Sequence, residues 1–171
     1  MPAAVLALTT ACLSPGISQA GGKATGGGSI DSTLDLAAKA QFAFTVQCLD
    51  VICRAQKGSG GYDDKGANAV FPNGVHMKLV SIVANTGFGF TNSPKCTAGT
   101  VTYQSADPKV PDLLPVQTAT VKICDNSHGS VKLPDIFAIH VTSGPYLGYA
   151  DAGPVQGGQI TITLPPAVIG P

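Results

Sequence analysis

Three histidines, His76, His128 and His140, have the chemistry to bind zinc or copper in this chain. They lie far apart in the sequence, and the His-x-His and HExxH spacings that place two ligands on one face are absent. His140 alternates with Ile139 and Val141, which predicts that it lies on the opposite face of its strand. The spacing therefore favours three separate surface or hydrogen-bonded histidines over a shared metal site.

Aspartates supply every carboxylate side chain, because all ten acidic residues are Asp. Asp63 and Asp64 are adjacent, while Asp125 and Asn126 lie in a turn and Asp135 precedes the next strand. Calcium binds to several oxygen ligands of this kind, but the EF-hand and nonapeptide patterns are absent. Asp125, Asn126 and Asp135 are therefore calcium candidates, and capping of turns by their side chains is the alternative. The expectation is a protein without metal or cofactor.

The sequence supports no nucleophile or acid/base pair. Ser59, in Gly58-Ser59-Gly60-Gly61, comes nearest to a GxSxG elbow but lacks the strand–turn–helix setting that exposes such a serine. Glu, which many carboxylate enzymes use, does not occur. We therefore expect no catalytic residues and no enzymatic activity.

Aromatic side chains that could stack on sugar rings are few, because the chain has no Trp. Tyr62, Tyr103, Tyr146 and Tyr149 are the available polar aromatic residues. Tyr146 and Tyr149 differ by an odd number, so in a regular strand they would face opposite sides. That spacing disfavours a stacking platform.

Residues 1–20 resemble a secretory signal peptide that lacks its basic start. An apolar run over residues 3–13 is followed by a Pro-Gly break and by Ser18-Gln19-Ala20, which is typical of a cleavage site. The run is too short to span a membrane. A lipoprotein attached through Cys12 is the alternative, although Thr9 stands where leucine is usual. We expect a secreted or cell-surface protein without a transmembrane segment.

Cleavage after Ala20 would leave four cysteines, and an even set in an exported domain predicts two disulfides. Three pairings are possible. The short spacing of Cys48 and Cys53 favours a bridged hairpin, which leaves Cys96 to pair with Cys124. That second bridge would stabilise the fold by about 3 kcal/mol in the chain-entropy description. A zinc site is the alternative, but the CxxC spacing is absent and no histidine lies near the first pair.

Strands are the elements that would position these residues. Apolar and polar residues alternate over residues 41–47, 118–124 and 159–164, with the two-residue period of half-buried strands. Residues 75–82 also alternate, but the phase slips near Leu79 and Ser81, which predicts a β-bulge there. Clusters of Gly, Pro, Asn and Asp separate the strands.

These patterns predict one all-β domain over residues 21–164. We expect a single β-sandwich, immunoglobulin-like or jelly-roll-like, of about eight or nine mostly antiparallel strands. The proline-rich residues 165–171 are expected to form a disordered tail.

Charge patterning restricts the partners. Charged residues make up 12% of the chain and the formal net charge is +0. Nucleic-acid binding requires a positive surface that releases counterions from phosphates, and acidic membranes require the same. We therefore expect no nucleic-acid partner. The protein is expected to be a monomer with an unknown extracellular partner.

Five short segments also occur in a characteristic order: residues 26–30, 41–46, 121–126, 135–139 and 157–162. This order resembles that of the post-COAP domain family, which comprises small exported bacterial domains. Two positions depart from the pattern, since Ser127 replaces a glycine and Gln159 replaces an asparagine. The resemblance covers roughly residues 22–164 and implies an exported β domain of unknown function.

The leading hypothesis is an exported, non-enzymatic β-sandwich that acts as a surface or extracellular interaction module. The alternative is a small secreted glycan- or calcium-binding protein, and an Asp-dependent hydrolase is the third hypothesis.

Overall fold

A computed structural model describes residues 21–50, 53–83, 86–89, 96–127 and 132–164. These residues contain a short 3-10 helix, Lys65–Ala69, and nine strands: β1 (Lys23–Asp31), β2 (Lys39–Cys48), β3 (Gln56–Asp64), β4 (Val75–Ile82), β5 (Cys96–Ser105), β6 (Gln117–Cys124), β7 (Ile136–Val141), β8 (Ala150–Pro154) and β9 (Gln156–Thr163). The predicted signal peptide, the predicted tail and His128 lie outside the described residues.

The nine strands form one antiparallel sheet. Each strand from β1 to β8 pairs with the next, and β9 pairs with β1, so the hydrogen-bonded order is β8-β7-β6-β5-β4-β3-β2-β1-β9. The sheet rolls up into a nearly closed barrel, because Val155 alone separates β8 from β9. The expected all-β fold with eight or nine antiparallel strands is confirmed, and opposite walls of this rolled sheet face each other across the core.

The inner face of the sheet carries the core. In β2, Phe42, Phe44 and Val46 are buried while the residues between them point outward, which confirms the two-residue period. The ring of Phe42 stacks on that of Phe137 from β7, with centroids 4.0 Å apart. Because β2 and β7 lie on different walls, this contact joins the two sides of the barrel.

The predicted β-bulge is present in β4. Leu79 pairs with Tyr103 of β5, whereas Ser81 pairs with Thr102, so Val80 is the extra residue on β4. The extra residue shifts the alternation by one position. The apolar residue that follows the bulge therefore faces inward despite the phase slip in the sequence.

Two disulfides join the cysteine pairs that the spacing favoured. Cys48 at the end of β2 is linked to Cys53, with Cα atoms 4.8 Å apart. Cys96 and Cys124 are directly opposite each other on β5 and β6, with Cα atoms 4.0 Å apart. The second bridge therefore reinforces a pairing that the sheet already makes.

Glycines beside Phe44 make room for its ring inside the barrel. Gly26 of β1 and Gly60 of β3 lie directly opposite Phe44 on its two neighbouring strands. A Cβ on Gly26 would lie 2.8 Å from the Phe44 ring, and one on Gly60 would lie 2.3 Å from the Ala43 carbonyl oxygen. Both positions therefore exclude any larger residue.

The next residues, Gly27 and Gly61, face outward and have no such restriction. A Cβ on Gly27 would meet nothing closer than 3.5 Å, and one on Gly61 nothing closer than 3.6 Å. These glycines lower the outer surface of the sheet, although core packing does not require glycine at either position.

The two glycine pairs should therefore respond in opposite ways to alanine. We expect Gly27→Ala and Gly61→Ala to raise the free energy of unfolding by about 0.5–1 kcal/mol, because alanine loses less backbone entropy on folding. Gly26→Ala and Gly60→Ala should lower it by about 1–3 kcal/mol through overpacking. Denaturant unfolding of the four variants measures this, and equal effects within each adjacent pair would contradict the assignment of faces.

Candidate functional site

The calcium candidates Asp125 and Asp135 lie at the seam where the rolled sheet closes. Since β9 forms its ladder with β1, its other edge has no ladder and approaches β6. The Asp135 carboxylate accepts the N–H of Ile160 at 2.6 Å, and Asp125 accepts that of Ile162 at 3.0 Å. Both aspartates are buried, so they supply the acceptors that a neighbouring strand would otherwise provide.

The remaining oxygens of these candidates also accept hydrogen bonds. Asp135 accepts the N–H of Asn126 at 2.8 Å, and Asp125 accepts the hydroxyl of Ser127 at 2.8 Å. The Asn126 side chain donates to the Pro134 carbonyl at 3.0 Å. In the described part of the chain, no three His, Cys, Asp or Glu side chains are grouped as metal ligands. The structure thus brings the three candidates together, and Asp125 and Asp135 accept backbone N–H groups of the distant β9 as well as donors of their own loop.

Asp63 and Asp64 point to opposite faces of β3, as neighbours in a strand must. Asp64 is fully buried inside the barrel, whereas Asp63 lies outside beside His76. The pair therefore cannot act as one two-carboxylate site.

Asp64 belongs to a buried polar cluster with Asp151, Tyr62 and Tyr149. The Tyr149 hydroxyl contacts Asp64 at 2.6 Å, the two tyrosine hydroxyls are 2.6 Å apart, and the Tyr62 hydroxyl contacts Asp151 at 2.6 Å. Asp151 also accepts the N–H of Thr33 at 3.1 Å, which joins β8 to the chain beyond β1. The cluster therefore ties a second part of the seam together.

Both carboxylates of this cluster make hydrogen bonds at each of their oxygens. For Asp64, the Gly66 N–H donates to one oxygen, and the Ser32 and Tyr149 hydroxyls reach the other. The Asp151 oxygen that contacts Tyr62 also lies 3.2 Å from the Tyr149 hydroxyl. The two phenols are therefore held between the two carboxylates.

Burial keeps the phenols of this cluster protonated. It raises the pKa of Tyr62 and of Tyr149 far above the ordinary phenol value, and the negative charge of Asp151 acts in the same direction. Burial also raises the pKa of Tyr103 to about 12. The Tyr103 hydroxyl donates to the Ser143 carbonyl at 2.7 Å.

All four tyrosines are buried inside the barrel. Tyr146 and Tyr149 lie in the connection between β7 and β8, and both point inward, because this connection is not a regular strand. The expectation that they face opposite sides was therefore wrong. Stacking on a sugar requires a tyrosine ring at the surface, whereas these four rings pack in the core.

The two described histidines, His76 and His140, lie on different strands, as their spacing indicated. His140 is exposed on the outer face of β7. His76, on the outer face of β4, contacts Asp63 at 2.6 Å through Nδ1 and the Asn73 carbonyl at 2.6 Å through Nε2. Burial acts to lower the pKa of His76, but the hydrogen bonds to Asn73 and Asp63 and the charge of Asp63 outweigh it and raise the pKa overall.

A shallow trough crosses the outer face of β9, β1, β2 and β3. It encloses about 690 Å³. One row of hydroxyls lies in register across the four strands, from Thr161 through Thr25 and Thr45 to Ser59. The floor beside this row is formed by residues with little or no side chain: Gly27, Ala43 and Gly61. Ser59, considered above as a nucleophile, is thus one hydroxyl in a row.

A second basin of about 570 Å³ continues the trough over β1 to β4. It shares Ala43 and Gly61 with the first basin, and Asp63 and His76 line its far side. The alternating patterns of the sequence did not predict this trough. The outward glycines Gly27 and Gly61 were the available signal, because glycine at outward strand positions leaves the backbone exposed.

Comparisons of the chain with known protein families, with curated proteins and with solved structures found no match. No helix among the described residues has the length and apolar character needed to cross a membrane.

The buried cluster predicts that the two adjacent aspartates of β3 differ in their importance for stability. Asp64→Ala would leave the buried N–H of Gly66 without its acceptor, so we expect the free energy of unfolding to fall by about 1–3 kcal/mol. Asp63→Ala is the control, because the Asp63 side chain is 46% exposed, and it should change this free energy by less than about 1 kcal/mol. Urea unfolding of both variants tests this, and equal losses would contradict a structural role for the cluster.

The seam itself can be tested at Asp135. Asp135→Ala leaves the buried N–H of Ile160 and the partly buried N–H of Asn126 without acceptors, so we expect a loss of about 2–4 kcal/mol. Asp107→Ala is the control, because its carboxylate accepts only an exposed turn N–H from Lys109. That variant should change the free energy of unfolding by less than about 1 kcal/mol. Similar losses in the two variants would show that the seam has no special role.

Proposed function

We propose that the protein is an exported, non-enzymatic interaction module that binds an extended, uncharged, hydroxyl-rich chain, such as a glycan, in the outer trough. The observation that carries this proposal is the trough itself, with its low floor and its row of hydroxyls. None of the described residues that line its first basin is charged. A neutral polar ligand would therefore meet matching chemistry there.

The polar groups of the trough suit sugar hydroxyls. Thr25, Thr45, Ser59 and Thr161 each offer one donor and two acceptor lone pairs, which is also what a sugar hydroxyl offers. Gln159 adds an amide that both donates and accepts. The exposed floor at the outward glycines lets a ligand approach the backbone closely.

The shape of the trough suits an extended chain. Neighbouring strands lie about 4.8 Å apart, so a row across four strands spans about 14 Å. A polymer lying along this row would meet a hydroxyl at each strand, which favours a ligand with a repeating unit. Affinity would come from hydrogen bonds and not from ring stacking, since the tyrosines are buried.

Export is supported by the two disulfides, because disulfides persist mainly in oxidising compartments. The leader-like residues 1–20 and the resemblance to the exported post-COAP domains point the same way, and membership of that family is part of this proposal. Asp64 and Asp151 of the tyrosine–carboxylate cluster are buried. Because a substrate could not reach them there, their burial supports a non-enzymatic role.

Gly61→Val tests the proposed function. A Cβ at position 61 would meet no atom closer than 3.6 Å. The valine methyl groups would therefore fill the trough floor without disturbing the fold. We expect one or more uncharged soluble polysaccharides to bind the parent protein, and binding to weaken at least about ten-fold in Gly61→Val, a loss of about 1.4 kcal/mol. Affinity electrophoresis against a polysaccharide panel, followed by calorimetry on the best ligand, measures this.

Ala98→Val is the matched control, because Ala98 faces outward on β5 and lies outside the trough. It should bind as the parent does, and both variants should unfold cooperatively. No binding to any uncharged polysaccharide, or equal binding by Gly61→Val, would overturn the proposal.

A further inference from the structure

The two ring nitrogens of His76 both face groups that can only accept a hydrogen bond. Nδ1 lies 2.6 Å from a carboxylate oxygen of Asp63, and Nε2 lies 2.6 Å from the carbonyl oxygen of Asn73. Both contacts are satisfied only when each nitrogen carries a proton. The geometry therefore matches the imidazolium, in which His76 and Asp63 together have no net charge.

Loss of one ring proton changes the charge of this pair. The neutral ring keeps one N–H, and the negative charge of Asp63 favours keeping it on Nδ1. The pair then has a net charge of −1. The side chain of Asp63 is 46% exposed, so this charge would face the second basin of the trough, which Asp63 and His76 line.

Few other charges surround the ring. Asp107, from the connection between β5 and β6, acts on His76 through its charge. Lys78 lies two residues further along β4 on the same face, and β2 presents the uncharged Gln41 to this basin. Asp63 of β3 is thus the carboxylate in hydrogen-bond contact with the ring.

We propose that Asp63 and His76 form a charge-switched subsite at the β3–β4 end of the trough. When the ring has lost a proton, the subsite receives a cationic substituent, such as an amino or quaternary ammonium group on the bound chain. When the ring holds both protons, the neutral pair gives such a group no advantage. This inference rests on the proposed function of the trough. It adds which substituent the trough prefers on its ligand and how pH controls that preference.

The direction of the pH dependence follows from the environment of the ring. Because the pKa of His76 is raised overall, the ring loses its second proton at a higher pH than an ordinary histidine does. The preference for a cationic substituent should therefore increase as the pH rises through that raised pKa.

The test compares two forms of one oligosaccharide that binds in the trough. One form is uncharged, and the other carries a quaternary ammonium group, whose charge does not vary with pH. Calorimetry from about pH 5 to about pH 9, a range that spans the histidine titration, gives the ratio of the two affinities. We expect this ratio to rise about five-fold in favour of the charged form, the factor for one unit charge at about 4 Å in water.

Two variants separate the roles of the pair. His76→Gln leaves Asp63 charged throughout, so the ratio should stay at its high-pH value at every pH. Asp63→Asn removes the negative charge, so the ratio should be lower at every pH, and its remaining step should move to lower pH because the charge that raises the pKa is gone.

The outcomes distinguish the two proposals. If the uncharged form binds and Gly61→Val blocks it, but the ratio does not vary with pH, the switch is overturned and the proposed function stands. If neither form binds at any pH, both are overturned. A ratio that rises equally in His76→Gln would also overturn the switch, because that variant has no ring to titrate.

Discussion

Closure of the rolled sheet depends on finding acceptors for backbone N–H groups where no strand is available. β8 and β9 are nearly continuous, yet β8 pairs with β7 and β9 pairs with β1, so each has one edge without a ladder. Asp125 and Asp135 accept buried N–H groups at the free edge of β9, and Asp151 accepts one beyond β1. Because an unpaired buried N–H costs about 1–3 kcal/mol, these carboxylates allow the barrel to close without a complete ladder.

The interior is compatible with this closure because large rings and glycines alternate across the strands. Phe44 occupies the space that Gly26 and Gly60 leave on its two neighbours. The polar cluster around Tyr62 and Tyr149 lies in the same core, with its hydrogen bonds directed to Asp64 and Asp151. Burying these groups is tolerable because each finds a partner.

The outer surface shows a different use of the same strands. Gly26 and Gly60 face the core. The residues that follow them, Gly27 and Gly61, face outward, lower the outer surface and form the trough floor. The row of hydroxyls beside it is aligned because four strands are in register. Recognition in the trough would therefore depend on the same pairing that forms the core, and Asp63 with His76 would add a charge that responds to pH.

The sequence by itself determined the strand content, the inward and outward residues of the alternating strands and the bulge in β4, and it favoured the cysteine pairs that the structure contains. These features are local, because a two-residue period and the spacing of Cys48 and Cys53 are visible within a few residues. Only the tertiary structure decided that Asp125, Asn126 and Asp135 cap a seam, that Asp64 meets Asp151 through two tyrosines, and that hydroxyls from four strands share a trough. Those arrangements join residues up to 136 positions apart, as Thr25 and Thr161 are, and the register between distant strands is not encoded in either segment alone.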